Sequence, residues 1–289
     1  MRYLILNNIS GLSDFQFVVK NFVHERSENF SDVHAHRDFF ELVVVKSGSG
    51  THWTEKKSEN LSAGDIFLIP PGVEHNYPIA KSLSIYNVLF SDGFFQQFRD
   101  DLSAFANYQL YFNLSSTANS GAVEIMHLDR NSFAELIKLL EETVAEQKTP
   151  GPGSQTAVLC NALKIMLLLC RHAKSRTSDE LSGAVFSISR LLAEMENTLD
   201  EKWNLEKMAK KCCLSVSSFR QQFKHFTGVS PAAWLLEARI RKAQTLLKTS
   251  DLSVSEISAI CGFSDSNYFA RQYKKHLSLS PREYRKESF

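Results

Sequence analysis

Hydrophobic patterning changes period along the chain. Between Gln16 and Phe90 the apolar residues come in short runs, at 39–45, 50–53, 65–69 and 83–90, separated by Gly, Ser, Pro and Asn. Short apolar or alternating runs bounded by turn formers predict strands, and many of them in series predict a small barrel or jelly roll. From Ser132 onward the spacing becomes that of a helix. Residues 132–146 and 155–171 are amphipathic or apolar helical patterns split by a Thr-Pro-Gly-Pro-Gly-Ser breaker at 149–154. The second of these is so rich in Leu, Ile, Val and Met that it must be buried, against the barrel or against a partner helix. A polar linker is expected at 174–179.

The last third of the chain repeats itself. Leu205, Met208, Cys212 and Leu214 recur 49 positions later as Val254, Ile257, Cys261 and Phe263. After a one-residue insertion, Phe219, Phe223, Lys224 and Ser230-Pro231 recur 50 positions later as Phe269, Tyr273, Lys274 and Ser280-Pro281. Each copy reads as a short helix, a tight turn and a second helix with apolar residues at i and i+4, which is a helix-turn-helix. Gly262 stands where a C-cap glycine belongs, and Ser264 or Asp265 can cap the helix that follows. In the first copy Cys213 takes the glycine position, with Ser215 or Ser217 as candidate cap. Between the copies, 232–248 predicts a helix about 25 Å long, a strut suited to hold two recognition helices near the roughly 34 Å spacing of successive major grooves.

Composition narrows the class. With 289 residues, 43% hydrophobic and 22% charged, the chain can bury sizeable cores, and two globular domains are expected. Only 12 Gly and 7 Pro exclude a collagen-like or linker-like chain. The greasiest segment, 157–170, is interrupted by Asn161 and Lys164 and is too short to span a bilayer. No signal-peptide pattern stands at the N-terminus, and five cysteines without a C-x-x-C pair suggest neither a disulfide framework nor a zinc knuckle. A cytoplasmic protein is expected. The net charge of +1 hides an asymmetry: residues 184–289 hold 17 Lys+Arg against 11 Asp+Glu, whereas residues 1–183 hold 16 against 21. A basic C-terminal third on an acidic remainder is the outline of a nucleic-acid-binding module carrying a second domain.

The segment from about Val185 to Lys286 resembles the DNA-binding domain of AraC/XylS-family transcription regulators. The resemblance is carried by Ala209, Phe219, Phe223, the Thr227–Pro231 corner, Arg239, Ala243, Leu246-Leu247, Ile257, the run Cys261–Phe269, Lys274 and Ser280-Pro281. It implies a double-stranded DNA operator, contact with RNA polymerase and a homodimer formed through the middle region, with no membrane partner. On the first recognition helix Ser217, Ser218, Arg220, Gln221 and Lys224 avoid the apolar stripe and face out. On the second, Asp265, Ser266, Asn267, Ala270, Arg271 and Lys274 do so. Asn suits adenine and Arg or Lys suits guanine or phosphate, so Asn267 is the foremost base-contact candidate, while Asp265 is equally well read as a cap. Sugar-operon relatives often carry long basic side chains at the positions of Ser217 and Gln221, so the operator of this chain should differ from theirs. Lys210, Lys211, Arg241 and Lys242 are expected as phosphate contacts or solvated charges.

Two further motifs lie in the N-terminal part. His34, His36, Glu41 and Gly48 form the first, and Gly64, Pro70, Gly72 and His75 the second. Together they resemble the paired motifs of the cupin fold, the usual sensor of AraC/XylS regulators. His34 and His36 share a face at strand period two, and Glu41 joins them only if a bulge or turn absorbs the odd offset. With His75 they make the three-His, one-carboxylate set that holds Mn, Fe, Ni or Zn in metal-dependent cupins. The other reading is a metal-free pocket for a small molecule such as a monosaccharide, lined by His34, His36, Glu41 and His75 with Trp53 and Tyr77 as aromatic walls. The layout, with Asn87–Phe90 and Phe263–Asn267, is most similar to the activators of rhamnose operons, which implies rhamnose or another sugar as effector. A metal-dependent cupin enzyme or a metal-responsive regulator is the alternative, and fusion to two helix-turn-helix units argues against catalysis. The expected architecture is an α+β multidomain chain: a cupin-like sensor at 1–125, a helical dimerisation region and linker at 126–180, and an all-α double helix-turn-helix domain at 181–289.

Overall fold

The computed structural model describes residues 2–4, 17–28, 33–91, 93–94, 98–114, 124–175 and 183–287. They fall into two compact units, Met1–Leu181 and Ser182–Phe289.

The first unit is built on one nine-stranded sheet: β1 (Arg2–Leu4), β2 (Phe17–Glu28), β3 (His34–His36), β4 (Phe39–Thr54), β5 (Ser58–Ser62), β6 (Ile66–Ile69), β7 (His75–Ser91), β8 (Ile125–His127) and β9 (Lys174–Ser175). Pairing is antiparallel apart from β1 against β3. Strands β4 and β7 run alongside each other for most of their length and form the spine. The two runs expected at 39–45 and 50–53 are one long strand, broken in register by bulges between Val45 and Ser47, Ser47 and Ser49, and Thr51 and Trp53. On one face, Val43, Val45, Phe67, Ile69, Tyr77, Leu83 and Ile85 pack into a common core. The uninterrupted burial of 39–45 shows that this stretch is covered on both faces, which is why it lacks polar alternation.

Two helices in the region expected for dimerisation belong to this unit: α1 (Arg130–Lys148) and α2 (Ser154–His172). Asp129 caps α1 by accepting from the backbone N–H groups of Asn131 and Ser132. The Pro-Gly breaker closes the hairpin, with Gly153 in the left-handed region at φ 88°. Side chains of α1 bond to the sheet. Gln147 accepts from Val19 N–H and donates to the Phe17 carbonyl, acting as a piece of strand at the edge of β2. Lys46 donates to Glu141 at 2.7 Å. The linker expected at 174–179 begins as β9, paired with β8; from residue 176 it lies outside the described residues. Among the described residues no helix is long and apolar enough to cross a membrane.

The second unit is helical: α3 (Gly183–Asn197), α4 (Leu205–Lys211), α5 (Val216–Thr227), α6 (Pro231–Thr249), α7 (Val254–Ile260), α8 (Ser266–Leu277) and α9 (Pro281–Glu287). Helices α4–α5 and α7–α8 are the two repeats, and α6 is the strut between them. At 19 residues α6 is about 28 Å long. The two turns are closed alike: Cys213 N–H bonds Lys210 O and Leu214 N–H bonds Ala209 O, while Gly262 N–H bonds Ala259 O and Phe263 N–H bonds Ser258 O. This pairing of a six-residue and a four-residue closure demands a left-handed residue, supplied by Cys213 at φ 54° and Gly262 at φ 81°. Ser215 caps α5 and Asp265 caps α8, so the single inserted residue of the second copy lies between turn and cap. Around the second repeat, Ile240, Ala243, Leu247, Ile257, Cys261, Phe263, Phe269 and Tyr273 form one buried cluster.

Candidate ligand site and nucleic-acid interface

Three histidines and a glutamate meet inside the sheet unit. His34 and His36 come from β3, Glu41 from the start of β4 and His75 from the start of β7; β3 and β7 place His34 opposite His75. The turn at Arg37 and Asp38, both exposed, absorbs the odd offset between His36 and Glu41. One donor atom from each of the four lies within 4.8 Å of all the others. His36, Glu41 and His75 are buried, and His34 is half-buried. Glu41 Oε2 is 2.8 Å from His36 Nε2 and 3.8 Å from His75 Nε2. Burial by itself pushes the Glu41 carboxyl up, but the hydrogen bonds and charges of His36 and His75 outweigh it and hold the group well below the usual carboxylate range. His75 Nδ1 lies 3.0 Å from the Val73 carbonyl, which can only accept, so Nδ1 carries a proton and Nε2 is the nitrogen turned toward Glu41.

Tyr77 is buried close to this cluster, as expected, but Trp53 is not part of it. The register pairs Trp53 with Asn76 and Thr54 with His75, and neighbouring strand residues point to opposite faces, so Trp53 lies on the other face of the sheet. Its place is taken by His52, which sequence reasoning missed. The His52 ring stands 5.7 Å from His75, 5.3 Å from Tyr77 and 4.8 Å from Phe67. Burial, reinforced by the charge of His75 and opposed by Glu41, lowers its pKa to about 3. His52 is therefore neutral at ordinary pH.

The second unit presents two exposed helical surfaces. On α5, Ser217, Arg220, Gln221 and Lys224 are exposed, while Phe219 and Phe223 are fully buried. Ser218 is half-buried and accepts a hydrogen bond from Gln222. On α8, Asn267, Arg271 and Lys274 are exposed, Ser266 and Ala270 half-buried, and Phe269 and Tyr273 fully buried. Asp265 accepts from the N–H groups of Asn267 and Tyr268, so its carboxylate is engaged as a cap. Two of the candidate phosphate contacts are committed within the unit: Lys211 pairs with Glu194 at 2.7 Å and Arg241 with Glu196 at 2.6 Å. Arg239 donates to the carbonyls of Leu199 and Glu201 and lies over the Phe263 ring, so it braces the core between the repeats.

A buried polar cluster in a cupin-like sheet and a duplicated helix-turn-helix define a ligand-binding, DNA-binding regulator. The family models agree in order and extent: an AraC-like ligand binding domain matches residues 22–156 and a helix-turn-helix domain matches residues 208–287. The chain belongs to the AraC family of transcription regulators. Among its relatives, the HTH-type transcriptional activator RhaR of Mannheimia succiniciproducens is 26% identical over 253 residues, covering 88% of this chain and 86% of that protein. The HTH-type transcriptional activator RhaS of Escherichia coli is 28% identical over 250 residues, 86% of each chain. A crystal structure of the DNA-binding domain of AdpA in complex with a target DNA is 32% identical, covering 35% of this chain and 91% of that one with a TM-score of 0.35.

Proposed function

We propose that the chain is a ligand-switched transcription activator: a small polar effector, with a monosaccharide as the leading class, occupies the His34–His36–Glu41–His75 site and raises the population of a DNA-bound state that engages RNA polymerase. The observation that carries this reading is the union in one chain of a buried, polar, half-accessible cluster with two capped helix-turn-helix units bearing exposed Asn, Arg and Lys. A cluster buried at such desolvation cost needs a reason, and ligand recognition supplies one. The relatives are named as transcriptional activators, which favours activation over repression. In this reading the protein performs no catalytic step, acts in the cytoplasm beside its DNA, and associates with a second copy through α1 and α2. An effector shifts the equilibrium only by binding the DNA-competent state better than the other.

The test is a reporter driven by the protein's own operator, read with and without the inducing sugar. His34→Ala is expected to leave uninduced DNA binding intact and to abolish induction. Unaltered induction in that variant would mean that the histidines are structural only.

A second reading concerns a metal. Four donors within 4.8 Å suit a first-row divalent ion, and the His75 Nδ1 bond to a backbone carbonyl is the outer support that metal-bound imidazoles receive. Zn, Ni, Mn or Fe would be held by His34, His36, Glu41 and His75, and would supply a Lewis-acidic anchor for effector hydroxyls. Elemental analysis of protein purified without chelators tests it: stoichiometric metal that disappears in His34→Ala supports the site, and metal-free protein with full sugar response removes it.

A further inference from the structure

His52 has no role in the sites assigned so far. It is 2% exposed, and its Nε2 is buried without a hydrogen-bond partner among the described residues. A buried ring nitrogen left without a partner is a costly arrangement, and a hydrogen-bonding group of a bound molecule would satisfy it. The rings of His34, His75, His52 and Tyr77 follow one another at 4.4, 5.7 and 5.3 Å, leading inward from half-buried His34 to buried Tyr77. Glu41 is the buried carboxylate beside this file. The imidazoles that could offset a second carboxylate, His36 and His75, already face Glu41, whereas a hydroxyl group can donate or accept and so satisfies either tautomer of an imidazole.

We propose that His52 is a specificity-determining effector contact, whose Nε2 hydrogen-bonds a hydroxyl of a neutral, hydroxyl-rich molecule, and that the site rejects carboxylate-bearing analogues of that molecule. The inference rests on the effector reading above and narrows its chemical class. A like charge beside Glu41 supplies the rejection, and the orphaned imidazole supplies the selection.

Calorimetric titration and thermal shift of the full chain with L-rhamnose, L-fucose, D-galactose and D-galacturonate decide the matter, using wild type and His52→Phe. The expected result is that at least one neutral sugar binds and raises the Tm of wild type, that D-galacturonate does not, and that His52→Phe weakens binding about tenfold or more while its ligand-free Tm stays near that of wild type. Should the phenylalanine variant fail to fold, His52→Asn, too short to reach the same hydroxyl, replaces it with the same two outcomes. Unchanged affinity in the variant overturns the role of His52 and leaves the effector reading standing. Galacturonate binding as tightly as galactose overturns the neutral class. A wild type that binds none of the neutral sugars overturns the effector reading itself, and this inference with it.

Discussion

Asp265 and Asn267 stand two positions apart at the same exposed helix start, and their surroundings give them different work. Both carboxylate oxygens of Asp265 are engaged by backbone N–H groups, whereas the Asn267 side chain is exposed on the recognition helix. Replacing Asp265 by Ala is expected to cost about 1 kcal/mol of stability through the lost cap, and to weaken binding to all DNAs alike. Asn267→Ala is expected to lower operator affinity by roughly 1 to 3 kcal/mol with selectivity lost at one base pair. Binding measured on the operator and on its single-base variants separates the two; equal weakening on every DNA would make Asn267 a positioning residue. At this scale the sequence was informative where spacing alone fixes geometry. His34 and His36 share a face because strands repeat every two residues, and one short turn brings Glu41 to them. It failed at Trp53. Strict alternation from Phe39, Glu41, Val43 and Val45 carries Trp53 to the inner face, but one extra residue on β4 between Val45 and Ser47 changes the parity and brings His52 and Thr54 inward instead. Bulges leave no reliable mark in a single sequence.

Elements carry the strongest sequence signal in this chain, because the repeat compares the molecule with itself. The inserted residue inferred from the change of offset from 49 to 50 lies between turn and cap of the second copy, where Gly262 precedes Asp265 by one position more than Cys213 precedes Ser215. The comparison also yields a paired prediction. A Cβ on Gly262 would stand 2.2 Å from the Leu199 carbonyl oxygen and 2.7 Å from the Arg239 guanidinium, in addition to the strain of φ 81°. Gly262→Ala should therefore destabilise the second unit by more than the ~1 kcal/mol of left-handed strain alone. Cys213→Gly relieves the same strain at φ 54°, offset by the entropy of a glycine in the unfolded chain, and should leave stability within about 1 kcal/mol of wild type or above it. Urea denaturation of the two variants checks both signs. The helical region was less fully legible. The apolar character of α2 told only that it is buried; that α1 reaches the sheet through Gln147 and Glu141 depends on tertiary hydrogen bonds between residues more than ninety positions apart, which no local pattern reports.

The whole molecule joins an acidic N-terminal remainder to a basic C-terminal third, and the repeat and motifs, rather than charge alone, assign sensing to the first and DNA binding to the second. What charge and motif leave open is whether the two halves are energetically coupled, and that coupling is the central claim. Linkage makes it measurable from either end: if the effector strengthens DNA binding, DNA must strengthen effector binding by the same factor. The most direct measurement is calorimetric titration of the full chain with the neutral sugar that raises its Tm, first alone and then saturated with operator DNA. The expected result is a tighter sugar affinity on DNA, of the order of 5- to 150-fold for a typical coupling. Equal affinities with and without operator would contradict it, leaving a sugar-binding domain and a DNA-binding domain that share a chain but not a switch.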